Sequence, residues 1–494
     1  MIIDTELTDT YVNNVLTKKL IMSFLNDSGK VSFFTYDIPK EDLFKWKYLK
    51  PGYPQEPNIL SWDKKPVMRE YPNNGVINDQ RIHEILLDLE KKNPSMEALH
   101  KLQVPDIAYC DIEVDVREDG FPDAESARNQ VNTIAWVHNT DVIVFGLANL
   151  TREQIQDIQR RIDEHCKKFK DRYNFEYRYY HDETSMIMDF MFNYVKPMPC
   201  VTGWNFMGYD WMYLTNRCKL LDIDLTSLSP TGKWKKYSLL DMFNSGEKRK
   251  VSVPMHKLIF DYMEVYFKWD QAISPKESYK LDDVGEAAVG VKKVQHKLGF
   301  TEMWDQTPDD YVYYNAVDAI LVREIDKKLN TKMALLSLAN LMHCDCLTAF
   351  SPVMSLQIVQ GEYMYRDGYV FPDEKREVTE SREYQGAFVY DPIPGVYRNV
   401  IALDFASLYP TTLRQFNISP DTFIIKDKNR KPHPNEIRCV SGAVYRRDVE
   451  GMLPKICTSF YNQRKAYKKE MKIAIQEMYD LKDICEKRFG KVPE

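Results

Sequence analysis

Through residues 1–105 apolar and polar positions alternate in short stretches, punctuated by the turn clusters Lys50-Pro-Gly-Tyr-Pro54 and Tyr71-Pro-Asn-Asn-Gly75. That pattern predicts a small α+β region and carries no evident chemistry. From about residue 106 the runs lengthen. Ile107-Ala-Tyr-Cys-Asp-Ile-Glu-Val114 reads as a strand, followed by strand-like runs at Thr133-Ile-Ala-Trp-Val137 and Asp141-Val-Ile-Val-Phe-Gly146. A helical stretch over roughly 151–170 then precedes Tyr177-Arg-Tyr-Tyr180. Strands that alternate with helices over about 230 residues predict an α/β domain with a mixed sheet. A helical segment near 330–365 leads to the strand-like Tyr384-Gln-Gly-Ala-Phe-Val389. Two further strands are predicted, Val400–Asp404 as a buried one and Arg438–Tyr445, and from Lys455 onward the pattern is helical and charged. Internal repeats and low-complexity tracts are absent.

With 494 residues the chain is too long for one core, and two to four domains are expected. Hydrophobic residues at 44% and charged residues at 28% are ordinary for a globular protein. The net charge of −6 announces no nucleic-acid partner, but a local basic groove on an acidic chain would still accommodate one. The 31 Tyr suit packed cores or stacking on bases. Nine Cys are scattered without a CxxC pair, and His343-Cys344-Asp345-Cys346 has the wrong spacing for zinc, so buried, reduced thiols are expected. The N-terminus lacks the basic and apolar regions of a signal peptide, and no apolar run approaches the ~20 residues that span a bilayer. The expected location is cytoplasmic, the host cytoplasm if the chain is phage-encoded, with no membrane partner.

Three segments carry chemistry together. On a strand, Asp111 and Glu113 share one face while Ile112 points into the core behind them. Two neighbouring carboxylates repel unless a cation lies between them. A lone Asp-x-Glu is usually a half-exposed edge strand, but two more segments add to it. Val201-Thr-Gly-Trp-Asn-Phe-Met-Gly-Tyr-Asp210 brings a third acid near the amide of Asn205, and Tyr314-Asn-Ala-Val-Asp318 stacks Tyr314 and Asp318 on one helix face. In this order and spacing they resemble the three exonuclease motifs of the family B DNA polymerases, in the tyrosine-bearing branch of the DEDD nucleases. The likeness is greatest to the T-even-like bacteriophage type, and Asp119-Gly-Phe-Pro122 and Phe260-Asp-Tyr-Met263 reinforce it. The resemblance implies a ribonuclease H-like 3′→5′ proofreading domain. Asp111, Glu113, Asp210 and Asp318 would hold two Mg²⁺ or Mn²⁺ ions about 3.5–4 Å apart, as hard oxygen donors favour. Tyr314 would orient the attacking water and Asn205 the terminal nucleotides of a single-stranded DNA 3′ end.

The segment Asp404-Phe-Ala-Ser-Leu-Tyr-Pro410, followed by Arg414-Gln-Phe-Asn-Ile-Ser-Pro420, resembles the first polymerase motif of the same family. By that resemblance Asp404 binds the catalytic metals, Ser407 and Leu408 belong to the backbone cradle of an incoming dNTP, and Tyr409 is the sugar gate. For Asp404 alone the plain alternative is an N-cap at a strand-to-helix turn. Tyr384 and Gly386 lie in a segment similar to the family's linker motif, which contacts template. Arg464, Lys468 and Lys472 share a face of the terminal helix. That face is either solvated or, as in the first fingers helix of phage-type polymerases, binds the triphosphate through Arg464 and Lys468.

The family's second fingers helix, its Tyr-Gly-Asp-Thr-Asp hairpin and its thumb have no counterpart in the sequence. The expected organisation is therefore an N-terminal domain (1–105, with 331–375 returning to it), an exonuclease domain (106–330), the first part of a palm (376–454) and the first fingers helix (455–494). The expected fold class is α/β and α+β multidomain. The expected function is the N-terminal subunit of a split DNA-directed DNA polymerase acting on primer-template DNA. A second chain would complete palm, fingers and thumb, and the sequence leaves open whether a sliding clamp binds through it. A stand-alone two-metal exonuclease with a vestigial palm is the alternative, and a non-catalytic scaffold fits poorly with intact metal carboxylates.

Overall fold

Ile107–Val114 forms a strand for the reason its alternation predicts: Ala108, Cys110, Ile112 and Val114 enter the core while Asp111 and Glu113 keep partial exposure on the other face. The computed structural model describes residues 1–12, 15–94, 96, 101–116, 122–240, 249–269, 278–373 and 390–490. The chain divides into two units. One comprises Met1–Lys40 with Leu89–Leu356, and the other Glu41–Asp88 with Gln357–Glu494.

In chain order, β1 (Ile2–Val12), β2 (Val15–Leu25) and β3 (Val31–Ile38) make an antiparallel sheet. Next come β4 (Lys45–Tyr48), β5 (Leu60–Ser61), β6 (Val67–Glu70) and α1 (Asp79–Lys92). The central sheet of the first unit is built from β7 (Ile107–Val114), β8 (Val131–His138), β9 (Asp141–Gly146), β10 (Asn174–Tyr179), β11 (Cys200–Thr202) and β14 (Leu258–Ile259). Its order is β10-β9-β8-β7-β11-β14; β7, β8 and β9 pair antiparallel and the other pairs are parallel. This is the mixed sheet the sequence predicts. Around it lie α2 (Arg152–His165), α3 (Glu183–Asp189), α4 (Asp210–Leu220), the hairpin β12 (Trp234–Ser238) and β13 (Lys250–Pro254), α5 (Tyr262–Trp269), α6 (Leu281–Val289), α7 (Phe300–Gln306) and α8 (Pro308–Leu329).

Helix α8 positions the site. Pro308 at its first turn has the right φ for a helix start, Asp309 and Asp310 complement the N-terminal dipole, and Asn330 closes it in the left-handed conformation. Tyr311 to Val322 are all buried, which marks a helix embedded on every side. The polar residues among them therefore face partners, not water.

The remaining elements are α9 (Lys332–Leu341), α10 (Cys346–Ala349), α11 (Pro352–Arg366), β15 (Tyr369–Val370), α12 (Leu408–Gln415), β16 (Phe423–Lys426), β17 (Glu436–Arg438), β18 (Ala443–Arg446) and α13 (Met452–Phe489). Cys344 and Cys346 are buried free thiols and Asp345 caps α10, so the His343–Cys346 cluster is structural. Among the described residues no helix is long and apolar enough to cross a membrane.

Two predicted strands differ. Arg438–Tyr445 is not one strand but the hairpin of β17 and β18, because Gly442 at φ +87° turns the chain between them. Val400–Asp404 forms no strand, and its side chains are exposed where burial is expected. A strand requires a neighbour for its backbone groups, and none pairs with this segment among the described residues. The predicted strand at 384–389 lies outside the described residues.

Candidate active site

One oxygen each from Asp111, Glu113 and Asp318 can lie within 4.8 Å of one another. Strand β7 supplies the first two, and α8, packed across β7 and β8, supplies the third. Register holds the pair in place: Asp111 opposes Ala135 and Glu113 opposes Thr133 on β8. Asp210, at the start of α4, accepts the Ile112 backbone N–H at 2.9 Å, so it sits beside β7, bonded to the residue between the two strand carboxylates. The three-residue cluster does not include Asp210, but their charges interact.

The electrostatics are those of acids crowded out of water. Burial, with repulsion from Asp318, pushes Asp111 up to about 7. Burial also pushes Asp318 up to about 6, against the pull of Lys293 and the Tyr314 hydroxyl. Burial and the neighbouring carboxylates hold Glu113 and Asp210 well above the usual range.

Two residues absent from the sequence reading complete this environment. Lys293 Nζ lies 2.5 Å from Asp318 Oδ2 and 4.7 Å from the centre of the Tyr314 ring. Burial alone would lower its pKa, but Asp318, Tyr314 and Asp111 raise it. Asn315 donates from Nδ2 to Asp111 Oδ2 at 2.7 Å. Tyr314 is buried, with its ring edge-on to His296 and Phe300.

The loop after β11 is fixed by close approaches. A Cβ on Gly203 would lie 2.3 Å from the Cys110 carbonyl oxygen, so only glycine fits against β7 there. Asn205 is exposed and left-handed, at φ 57°. Asp261 accepts the Met207 N–H at 3.0 Å and the Met263 N–H at 2.9 Å, which ties the Phe260–Met263 segment to this loop. Asp119, Gly120 and Phe121 lie outside the described residues.

The donor set fits a hard divalent cation. Its atoms are carboxylate oxygens, and Asp318 Oδ1 is buried without a hydrogen-bond partner. Among the described residues one ammonium, that of Lys293, lies against this acid cluster, which is thereby under-neutralised.

In the second unit, Asp404 is exposed in a segment with which no strand pairs among the described residues. Ser407, left-handed at φ 52°, is the N-cap of α12 without a side-chain capping bond, so the alternative of Asp404 as the cap does not apply. Leu408 and Tyr409 open α12 and are exposed. Arg464, Lys468 and Lys472 are exposed along α13. Tyr384 and Gly386 lie outside the described residues.

Comparison with known proteins shows which family the chain resembles. The model of the DNA polymerase family B exonuclease domain matches residues 68–284, and that of DNA polymerase family B matches residues 361–489. The DNA-directed DNA polymerase of Escherichia phage RB69 is 27% identical over 387 residues, covering 73% of this chain and 42% of the relative. The DNA-directed DNA polymerase of Enterobacteria phage T4 is 27% identical over 390 residues, covering 74% and 42%. The DNA polymerase delta catalytic subunit of Caenorhabditis elegans is 27% identical over 295 residues, covering 55% and 26%. The chain spans less than half the length of these curated relatives. Two models of one family, nuclease part first and polymerase part second, together match more than two thirds of it, and the chain belongs to DNA polymerase family B.

Proposed function

We propose that this chain is the proofreading and half-palm component of a DNA-directed DNA polymerase, and that its own activity is 3′→5′ exonucleolysis. The observation that carries this reading is the convergence of Asp111, Glu113 and Asp318, with Asp210 bonded to the same strand, in a chain whose residues 68–284, which hold all of these acids except Asp318, match the family B exonuclease domain. In the reaction, water attacks the phosphorus of the terminal phosphodiester, the bond to the 3′ oxygen of the preceding nucleotide breaks, and a nucleoside monophosphate leaves. Asp111, Glu113, Asp210 and Asp318 would hold Mg²⁺ or Mn²⁺, which when bound supplies positive charge to the scissile phosphate. Tyr314 orients the water, its ring braced by His296 and Phe300. Asn205, on the loop held by Asp261, contacts the terminal nucleotide. Single-stranded ends are preferred because they need no unpairing.

Synthesis belongs to the same proposal at one remove. Asp404, Ser407, Leu408, Tyr409, Arg464 and Lys468, with Tyr384 and Gly386 on the template side, form one wall of a nucleotidyl-transfer site for dNTP and primer-template DNA. A second polypeptide supplies the rest of palm, fingers and thumb. The exposed apolar run from Val396 to Tyr409 supports this, because such a surface calls for a cover.

The test uses the purified full chain and a 5′-labelled single-stranded oligonucleotide. With Mg²⁺ it shortens the oligonucleotide stepwise, and the double variant Asp111→Ala, Glu113→Ala does not. Undiminished digestion by that variant would refute the site. Primer extension by the chain alone would refute the need for a second polypeptide.

A further inference from the structure

Asn315 stands out among the buried groups that the proposed reaction does not use. It is completely buried in α8, three residues before Asp318 and therefore on the same helix face. Its Nδ2 donates to Asp111 Oδ2 at 2.7 Å across to β7, while its Oδ1 is buried with no hydrogen-bond partner. The orientation of the amide is dictated by its neighbour: the reverse would set the Oδ1 lone pairs against a carboxylate oxygen. A fully enclosed helix with one amide whose carbonyl is left unsatisfied is costlier than the same helix with leucine. Packing therefore does not account for the residue, and its one bond does.

We propose that Asn315 is a positioning residue, whose amide fixes the rotation of the Asp111 carboxylate so that Asp111, Glu113 and Asp318 converge on one divalent cation. The bond takes up one lone pair of one Asp111 oxygen and leaves the rest of the carboxylate free. Without it, no described side chain hydrogen-bonds Asp111: Lys293 attracts it, while Glu113 on the same strand face and Asp318 opposite repel it. Repulsion would rotate it away from the two carboxylates with which it must share a cation. Neutral amide chemistry suits this place. A lysine there would compete with the cation, a carboxylate would add to the repulsion, and a hydroxyl on a shorter side chain would not span the same gap. Hydrogen-bond partners of ligating carboxylates characteristically set metal affinity in this way.

The inference rests on the proposed metal site, and the experiment separates the two. Mn²⁺ binding to metal-free full-length chain is measured by titration calorimetry for the native protein, Asp318→Asn, Asn315→Leu and Asn315→Ala. Exonuclease rates are recorded in parallel as a function of Mn²⁺ concentration. Native protein should bind Mn²⁺ and Asp318→Asn should lose that binding; if the native protein binds none, the metal-site reading itself fails. Asn315→Leu and Asn315→Ala should bind about 10-fold or more weakly, and raised Mn²⁺ should restore most of the rate. A general packing defect would lower the saturated rate and leave Mn²⁺ affinity in place. If Asn315→Leu does not reach the native melting temperature, Asn315→Ala carries the test, since it removes the same donor without added bulk. Native Mn²⁺ affinity in a folded Asn315 variant would overturn the proposal.

Discussion

Lys293 Nζ lies 2.5 Å from Asp318 Oδ2 and also sits over the Tyr314 ring, so the protein keeps one cation of its own within its acid cluster. The lysine reaches this place by local means. Gly290 ends α6 in the left-handed conformation, and Asp282 accepts the Lys293 backbone N–H at 2.8 Å. Removal of the ammonium leaves Asp318 facing Asp111 and Glu113 with only the Tyr314 hydroxyl to offset their charge. Lys293→Met should therefore destabilise the metal-free chain by roughly 2–3 kcal/mol, at or below the low end for a broken buried pair because Lys293 is partly exposed and Asp318 can take up a proton. Added Mg²⁺ should raise the variant's melting temperature more than the native protein's. Equal shifts in thermal unfolding with and without Mg²⁺ would show that the two cations do not act on the same carboxylates.

The raised acids predict a pH dependence for metal binding. A cation needs ionised ligands, yet in the metal-free protein Asp111 keeps its proton below about 7 and Asp318 below about 6. Both values lie above those of ordinary carboxylates, so binding must expel protons, and Mn²⁺ affinity is lost as pH falls through 7 and 6. Calorimetric titration in buffers of different ionisation enthalpy should show proton release on binding and an affinity that rises from about pH 5 to about pH 8. A flat profile over that range would contradict the crowding of these carboxylates.

The strand carboxylates were legible in the sequence because period-two alternation places Asp111 and Glu113 on one face whatever they later contact. Tyr314 and Asp318 were legible for the matching helical reason. Lys293 was not, since it lies in a stretch without periodicity and meets Asp318 only through the Gly290 turn. Asn315 was open to view as one amide in a run of apolar residues, but nothing in the helix pattern tells a buried partner on another element from a solvated one. Val400–Asp404 shows the opposite failure: a continuous apolar run ending in an acid describes a buried strand, but pairing depends on a neighbour that the segment's own sequence does not specify.

Gly203 ties the loop that bears Asn205 to the strand that bears Asp111. A methyl at this position would meet the Cys110 carbonyl oxygen at 2.3 Å, a backbone atom that cannot swing aside. Gly203→Ala should cost about 2–4 kcal/mol by urea unfolding, in the range of overpacked cores, and slow single-turnover digestion. Gly361, inside α11 with open space where a Cβ would go, is the matching control. Gly361→Ala should leave digestion alone and add up to about 1 kcal/mol, because alanine is the better helix former. If both variants were equally stable, the close approach at Gly203 would not constrain the loop.

The exposed run in the second unit gives the proposed second polypeptide its most direct test. Val396, Ile401, Leu403 and Phe405 are largely exposed, and no described strand pairs with residues 400–404. Backbone without partners and apolar side chains in water are a protease's preferred substrate. In the full chain, chymotrypsin should cleave early at Tyr397 or Phe405, well before the sites inside β7 or α8. A second polypeptide that pairs with this run would bury the same bonds and slow their cleavage by roughly tenfold or more, by mass action on the open form. Asp404 lies within the run, so protection should appear together with primer extension, and Asp404→Ala should abolish extension without loss of protection. Extension that appears while Tyr397 and Phe405 are cleaved as fast as before would place the second polypeptide elsewhere on the chain.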